Sequence, residues 1–334
     1  MNWKMSEPIH IVFCSDRSAL PGLHVAAYSI LASCRSAGHP IHFHIFTDSL
    51  TTQDVALLEA TLRGANRPFI LELQKIQTDV FANFPAMLGS LAIYYRLVVP
   101  ELLRLDRFIY VDADILCDVD VSGLNTLDLG QAPAGLVPEA LLSSAADRFA
   151  AGQLGNSPVE PYFNSGVILV NVAEWRRQRV TERAMEYIAT HRPLFYDQSA
   201  LNVVLHGSAM PLDECFNCIA NMRKNWPMLK QPYGKIGRLV HFVDYPKPWD
   251  FLGEFVHPQY RLWRSVLDKT AMNGFRSWHA TPSRKFPKTR KAWDGYKKAL
   301  KDRILFAGYS RGWLKKVKGV PPVVSSPVVT APPL

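Results

Sequence analysis

The first 75 residues switch repeatedly between two hydrophobic periods, and that alternation limits the chain to few architectures. Ile9–Cys14 is an apolar run ending in Ser15-Asp16, Leu23–Ser33 carries apolar residues at helical spacing, and Pro40–Phe46 alternates, is rich in β-formers (IHFHIF) and ends in Thr47-Asp48. Strand, helix and strand in so short a stretch form a βαβ unit, whose strands are parallel and joined by a right-handed crossover. Thr51–Arg63 predicts a second helix and Phe69–Leu73 a third strand. Leu88–Leu103 predicts an amphipathic helix carrying Tyr94, Tyr95 and Arg96, and an apolar strand, Phe108–Val111, follows.

The first 120 residues therefore predict a Rossmann-like α/β layer, in which ligands bind beyond the carboxyl ends of the strands. Asp16, Asp48, Asp112 and Asp114 all fall just past those ends. The second half predicts a strand at Tyr162–Asn171, an amphipathic helix at Glu174–Thr190, a helix at Asp197–Leu205 capped by Asp197, and a strand at Arg238–Val243. No internal repeat is visible.

Asp112 and Asp114 stand two residues apart at the tip of the apolar strand, where their side chains point the same way and repel. A divalent cation with oxygen ligands relieves that repulsion, and Mg²⁺ or Mn²⁺ held so commonly bridges to a diphosphate. The plainer reading of a lone D-x-D is a solvated acidic turn. Asp118 and Asp120 continue the run and are expected to be solvated. Asn164 and Gly166 head an apolar strand, where a buried amide needs partners and the glycine permits close approach of a ligand. His241 follows a β run, and Lys247 sits between Pro246 and Pro248 beside Trp249. A neutral imidazole can complete a Mn²⁺ sphere and an ammonium can hold phosphate.

Composition excludes several classes. With 334 residues, 48% of them hydrophobic, the chain can bury a full core. The five cysteines are odd in number and scattered, which predicts reduced thiols in a cytoplasmic protein; Cys215-x-x-Cys218 lacks a partner pair at zinc spacing. MNWKMSEP reads as no signal peptide, and no apolar run is long enough to span a bilayer. The net charge of +9 is concentrated beyond Arg276, where Arg284, Lys285, Lys297, Lys298, Lys301 and Arg303 interleave with Trp293, Tyr296, Leu300, Ile304 and Trp313. A basic helix with apolar residues predicts an anchor on an anionic membrane surface. No nucleic-acid module accompanies the charge, so nucleic acid is not an expected partner. Val320–Leu334, rich in Pro, Ser and Val, is expected to be disordered.

In order along the chain stand I-V-F-C-S-D (Ile11–Asp16), S-L-A-I-Y-Y-R-L (Ser90–Leu97), Y-V-D-A-D (Tyr110–Asp114), Y-F-N-S-G-V (Tyr162–Val167), D-Q (Asp197-Gln198), and H-F (His241-Phe242) with a closing K-P-W (Lys247–Trp249). Together they resemble glycosyltransferase family 8, the retaining enzymes that include bacterial lipopolysaccharide glucosyl- and galactosyltransferases and glycogenin. The resemblance implies a single-domain nucleotide-diphospho-sugar transferase fold of GT-A type, α/β with a mixed central sheet, over residues 1–255. Its nucleotide-sugar half would cover about 1–120 and its acceptor half about 121–255. A helical basic extension, 256–319, and the tail, 320–334, follow.

The resemblance also implies roles. Asp112, Asp114 and His241 would bind Mn²⁺ (or Mg²⁺) on the diphosphate of a UDP-sugar. Asp16 would read the uracil edge, with Cys14 and Ser15 lining the base and Ser18 near the nucleotide; Ala113 would join the donor contacts, and Lys247 would hold the diphosphate. Arg96, Asn164, Asp197 and Gln198 would surround the transferred hexose, glucose or galactose, with Gln198 and Asp197 as the catalytic pair. The acceptor would be a glycan or a lipid-linked saccharide, such as lipopolysaccharide core, met at the cytoplasmic face of the inner membrane. The chain departs from the family at Asp244, where a glycine is usual, and at Arg17-Ser18-Ala19, where an aromatic often covers the uracil. Two other readings are a haloacid-dehalogenase-like phosphohydrolase, on V-D-A-D-I, and a non-catalytic nucleotide-sugar or glycan-binding protein.

Overall fold

A computed structural model describes residues 7–35, 39–87, 89–220, 225, 228–229, 231–243, 245–279 and 290–309. β1 (Ile9–Cys14), α1 (Leu20–Ser33), β2 (Ile41–Thr47), α2 (Thr52–Arg63) and β3 (Phe69–Lys75) form the expected parallel βαβαβ layer. The chain then passes through α3 (Tyr95–Leu102) to β4 (Arg107–Val111), β5 (Ile115–Cys117), α4 (Ser122–Asn125), β6 (Ala134–Leu141), α5 (Arg148–Gln153) and β7 (Pro161–Asn171). α6 (Val172–Arg177), α7 (Val180–His191), α8 (Tyr196–Val204), β8 (Met210–Pro211), β9 (Cys218–Ile219) and β10 (Leu239–His241) follow. α9 (Gly253–Val256), α10 (Tyr260–Leu267) and α11 (Arg290–Tyr309) complete the described chain.

Seven strands form the main sheet in the order β3-β2-β1-β4-β7-β6-β8, and three more form a small sheet, β5-β10-β9. β1 runs parallel to both β2 and β4, whereas β7 is antiparallel to β4 and β6, so the sheet is mixed as expected. The order runs outward from β1 to β3 and then restarts at β4 on the other side of β1. That reversal opens a crevice beyond the carboxyl ends of β1 and β4. Phe13, Ile11, Phe43 and Ile45 fill the core on the α1/α2 face, and Val12, Phe46, Phe108 and Tyr110 fill it with Tyr94, Tyr95 and Trp175 on the other. This is the period-two partition of buried strands in a covered sheet.

Four local expectations need correction. The helix predicted over Leu88–Leu103 begins only at Tyr95, after a 3₁₀ turn at Ala92–Tyr94. Glu174–Thr190 is two helices, broken where Arg179 adopts φ 53°; the break leaves Trp175 buried, donating from Nε1 to Thr181 Oγ1 at 3.0 Å. Asp197 lies inside the first turn of α8 rather than capping it, because its carboxylate is taken by Arg96. Asp118 and Asp120 are not simply solvated: Asp118 accepts from the backbone N–H groups of Gly234, Ile236 and Gly237, and Asp120 from those of Arg35 and Ser122.

Packing crosses the expected boundary near residue 255. Leu262, Trp263, Val266 and Leu267 of α10 share a core with Val25 and Tyr28 of α1, and Ala271 N donates to Thr61 Oγ1 of α2. α11 lies close against the loop after β10: a Cβ on Gly295 would meet Tyr245 O at 2.5 Å, and Tyr296 Oη donates to Phe251 O at 2.6 Å. None of the five cysteines is in a disulfide. Among the described residues no helix is long and apolar enough to cross a membrane. Asp244 and the chain from 310 onward, including the 320–334 tail, lie outside the described residues.

Candidate active site

Asp112-Ala113-Asp114 is the passage between the two sheets, since β4 ends at Val111 and β5 begins at Ile115. Asp112 N donates to Gly166 O at 2.8 Å, tying the passage to β7, and Phe242 N donates to Asp114 O at 2.9 Å, tying it to β10. β10 pairs antiparallel with β5, setting His241 opposite Ile115 and thus next to Asp114. Gly22 keeps α1 close on the other side: a Cβ there would meet Trp249 at 2.4 Å and Ala113 O at 2.5 Å. The Lys247–Trp249 segment is therefore a wedge that fixes the carboxylates from behind.

One ligand atom each from Asp112, Asp114 and His241 lie within 4.8 Å of one another. His241 Nε2 is 3.1 Å from Asp114 Oδ1 and 3.8 Å from Asp112 Oδ2. Lys247 Nζ donates to Asp114 Oδ2 at 2.5 Å and to Phe242 O at 2.6 Å. Burial alone would raise the Asp114 carboxyl, but Lys247 and His241 outweigh it and hold it well below the usual carboxylate range. Even so, Asp114 Oδ1 is buried and makes no hydrogen bond of acceptable geometry.

A chain of amides sets the tautomer of His241. Gly166 N donates to Asn164 Oδ1 (2.9 Å), so the second group on that oxygen, Asn217 Nδ2 at 2.8 Å, must also be a donor. Asn217 Oδ1 is then the atom facing His241 Nδ1 at 2.9 Å, and Nδ1 carries a hydrogen. Nε2 is thus the ring atom turned toward the two carboxylates, and an imidazole whose Nδ1–H is held by an amide oxygen is the usual outer-sphere pattern of a metal-bound histidine. The orphaned Asp114 oxygen and this tautomer both fit a divalent ion. Gly166 serves this ring rather than a ligand, as the sequence reading had it: a Cβ there would stand 2.1 Å from His241 Cε1.

Arg96 organises the other side. It is 6% exposed, and its Nη2 is 2.8 Å from Asp112 Oδ1, its Nε 3.1 Å from Asp197 Oδ2, and its Nη1 2.6 Å from Ser165 O. Its guanidinium lies 4.4 Å above the Tyr110 ring, and Tyr110 Oη donates to Asp112 Oδ1 at 2.5 Å. Burial opposes the charge of Arg96, but Asp112 and Asp197 override it. Asp197 is pushed up to about 6 by burial, with Arg96 pulling it down and Asp112 adding to the rise. Burial also pushes the Cys14 thiol far above its ordinary value, so its sulfur is no nucleophile.

Gln198 Oε1 accepts from Ser165 N at 3.2 Å, and Asn202, one turn on, clamps α8 to β7 by accepting from Phe163 N and donating to Phe163 O. Asp16 and Ser15 are buried at the end of β1, where Asp16 Oδ1 accepts from Ser18 N at 2.7 Å. The structure thus brings Arg96, Asp112, Asp114, Asn164, Asp197, Gln198, His241 and Lys247 into one linked cluster, with Cys14, Ser15, Asp16 and Ser18 on the adjoining rim.

Sequence reasoning missed Asn217 and Glu139. Asn217 lies inside the Cys215–Cys218 spacing, and nothing in its local sequence marks it. Glu139 stays exposed yet reaches Asn164 Nδ2 at 3.0 Å and Gln198 Nε2 at 3.4 Å, at the place where the register of β6 against β7 slips between Pro138 and Ala140.

The sequence profile of the family described as "Glycosyl transferase family 8" matches residues 10–253, and the chain belongs to that family. It is 27% identical over 281 residues to the lipopolysaccharide 1,2-glucosyltransferase of Escherichia coli K12, covering 80% of each chain. It is 25% identical over 268 residues to the lipopolysaccharide 1,3-galactosyltransferase of Salmonella typhimurium, covering 77% of each. Among solved structures, galactosyltransferase LgtC, in complex with donor and acceptor sugar analogues, superposes with a TM-score of 0.65 at 23% identity, over 78% of this chain and 96% of that one. The fold is accordingly the GT-A glycosyltransferase fold.

Proposed function

We propose that the protein transfers a hexose, glucose or galactose, from a UDP-sugar to a glycan or lipid-linked acceptor of the lipopolysaccharide-core kind, with retention at the anomeric carbon. The observation that carries this reading is the Asp112–Asp114–His241 cluster at the switch point of a family 8 fold, with Lys247 beside it. Asp112, Asp114 and His241 would hold Mn²⁺ (or Mg²⁺). When bound, such an ion supplies positive charge next to the diphosphate as it leaves.

The chain's own residues have separable tasks. Lys247 adds a second positive charge to the leaving diphosphate, exchanging its contact with Asp114 for phosphate oxygens. Asp16, the backbone of Cys14 and Ser15, Ser18 and Ala113 line the nucleoside. Arg96 neutralises Asp112 and Asp197 together and fixes both. Asn164, Gln198 and Asp197 bind the transferred hexose, with Gln198 beside the anomeric carbon. An amide at that place suits attack from the face the leaving group departs, which needs no carboxylate nucleophile.

The reading extends to location. α11 exposes Trp293, Leu300 and Ile304, at 47%, 43% and 62%, on one face together with Lys297 and Lys301. Such a face suits peripheral binding to the anionic cytoplasmic leaflet, each cation near the surface contributing about 1 kcal/mol. Flotation with anionic liposomes should retain the full chain and lose a chain truncated before residue 280; equal flotation of both removes the anchor.

The donor assignment is tested by release of the nucleoside diphosphate with Mn²⁺, UDP from UDP-glucose, UDP-galactose and UDP-N-acetylglucosamine and GDP from GDP-mannose. Turnover confined to a UDP-hexose is expected. Phosphate release from phosphomonoesters without any UDP-sugar, or binding without turnover, would overturn it.

A further inference from the structure

A second cluster of metal-ligating side chains lies toward the amino ends of the strands, remote in the fold from the carboxylate pair. The parallel register sets His10 of β1 beside His42 of β2, and His44 of β2 beside Glu72 of β3. With a strand period of two, all four side chains share one sheet face. His10 Nδ1 is 3.0 Å from His44 Nε2, and the His42 and His44 rings stack at 4.0 Å. The Glu72 carboxylate faces His42 Nε2 at 3.2 Å and His44 Nδ1 at 3.5 Å. One nitrogen from each of the three rings lies within 4.8 Å of the others.

This face is only partly covered at the β3 edge: His44 is buried, His10 and His42 are half-buried and Glu72 is exposed, so the cluster can be reached from solvent. The protein does not compensate the imidazoles well. His42 Nε2 and His44 Nδ1 are buried and make no hydrogen bond of acceptable geometry, although both are turned to one carboxylate. Burial, with the neighbouring rings adding to it, pushes His44 down to about 3; burial and His42 likewise lower His10.

We propose that His10, His42, His44 and Glu72 form a second metal site, three imidazoles and a carboxylate, for a divalent transition ion of the zinc type. Its role is to clamp the three parallel strands β1, β2 and β3 together at the edge of the sheet. A tetrahedral zinc with bonds of about 2.0–2.1 Å holds its ligand atoms about 3.4 Å apart, against 3.0 Å from His10 Nδ1 to His44 Nε2 and 3.2 Å from His42 Nε2 to the half-exposed Glu72. Imidazole-rich donors favour zinc over manganese or magnesium, so the two clusters would select different ions. The inference does not rest on the donor assigned above.

The test uses the full chain without a polyhistidine tag, stripped with a chelator. The Asp112→Asn/Asp114→Asn double variant, which lacks the carboxylate cluster, is titrated with Zn²⁺ by calorimetry and with Co²⁺ by visible absorption. One equivalent of Zn²⁺ and a tetrahedral Co²⁺ band are expected. Adding His42→Gln should weaken zinc binding by about 100-fold or more, at or beyond the loss of an outer-sphere partner. Glu72→Gln, on the exposed edge and safe for folding, should weaken it by about 10-fold. Absence of zinc binding in the double variant, or affinity unchanged by both further substitutions, would overturn the proposal.

Discussion

The molecule carries two histidine-bearing clusters, one past the carboxyl end of β4, where the main sheet passes into the small one, and one on a face of the main sheet at its β1–β3 edge, and they are compensated in opposite ways. At the carboxyl ends, each carboxylate has a resident cation, Arg96 on Asp112 and Lys247 on Asp114, and the histidine is oriented by Asn217. Toward the amino ends, three imidazoles meet with a single carboxylate, and two ring nitrogens are left without a hydrogen bond. The first is an oxygen-rich site held in place before any ligand arrives; the second is nitrogen-rich and electrically sparse. Residue type alone does not separate them. What separates them is whether the surrounding chain supplies charge.

The sharpest break in that comparison comes from removing the resident cation. Arg96→Met leaves the buried Asp197 and the part-buried Asp112 without their guanidinium, so urea denaturation should show a loss of about 3–5 kcal/mol. Glu72→Gln, which removes charge from the other cluster, should cost well under that in the same assay. A stability unchanged by Arg96→Met would show that the carboxylates are paired elsewhere.

A smaller effect should follow from Asn217→Ala, which removes the acceptor for His241 Nδ1 and the donor to Asn164. The concentration of Mn²⁺ giving half-maximal activity should rise by about 10- to 100-fold, while Zn²⁺ affinity at His10, His42 and His44 stays put. A fall in kcat at saturating Mn²⁺, with no shift in metal requirement, would make Asn217 structural only.

The smallest effect concerns a histidine in neither cluster. His24 of α1 is buried, bonds Thr61 Oγ1 through Nδ1 at 2.7 Å, and is pushed down to about 4 by burial, with Asp54 acting against the shift. Between pH 6.5 and 4 the unfolded chain therefore binds a proton that the folded chain refuses, and stability falls as pH drops through that window. From pH 7.5 to 5 the contribution of His24 is about 2 kcal/mol. Thermal melts of the wild type and His24→Gln across that range should differ in slope by that amount; parallel slopes would mean that His24 is charged in the fold.

Much of this was legible in the sequence because it is local. The βαβαβ layer follows from hydrophobic period, and the Asp112/Asp114 pair from charge at a strand tip. What was not legible depends on contacts distant in the chain. Asp197 looks like a cap until Arg96, about a hundred residues earlier, takes its carboxylate. Glu139 reads as an ordinary surface acid until the slipped register on β6 sets it beside Asn164 and Gln198. Asn217 matters only because Gly166 and Asn164 fix its orientation. The histidines of I-H-F-H-I-F were visible as a strand, but their meeting with His10 and Glu72 required the parallel register.

The central claim is that Asp112, Asp114 and His241 hold a divalent ion needed for donor cleavage. It is tested most directly by UDP release from the preferred UDP-hexose, titrated with Mn²⁺, in the wild type and in Asp114→Asn. Release should depend on Mn²⁺ and fall by about 10³-fold in the variant, equivalent to about 4 kcal/mol of transition-state stabilisation. Turnover that persists in chelator, or that Asp114→Asn leaves unchanged, would contradict it.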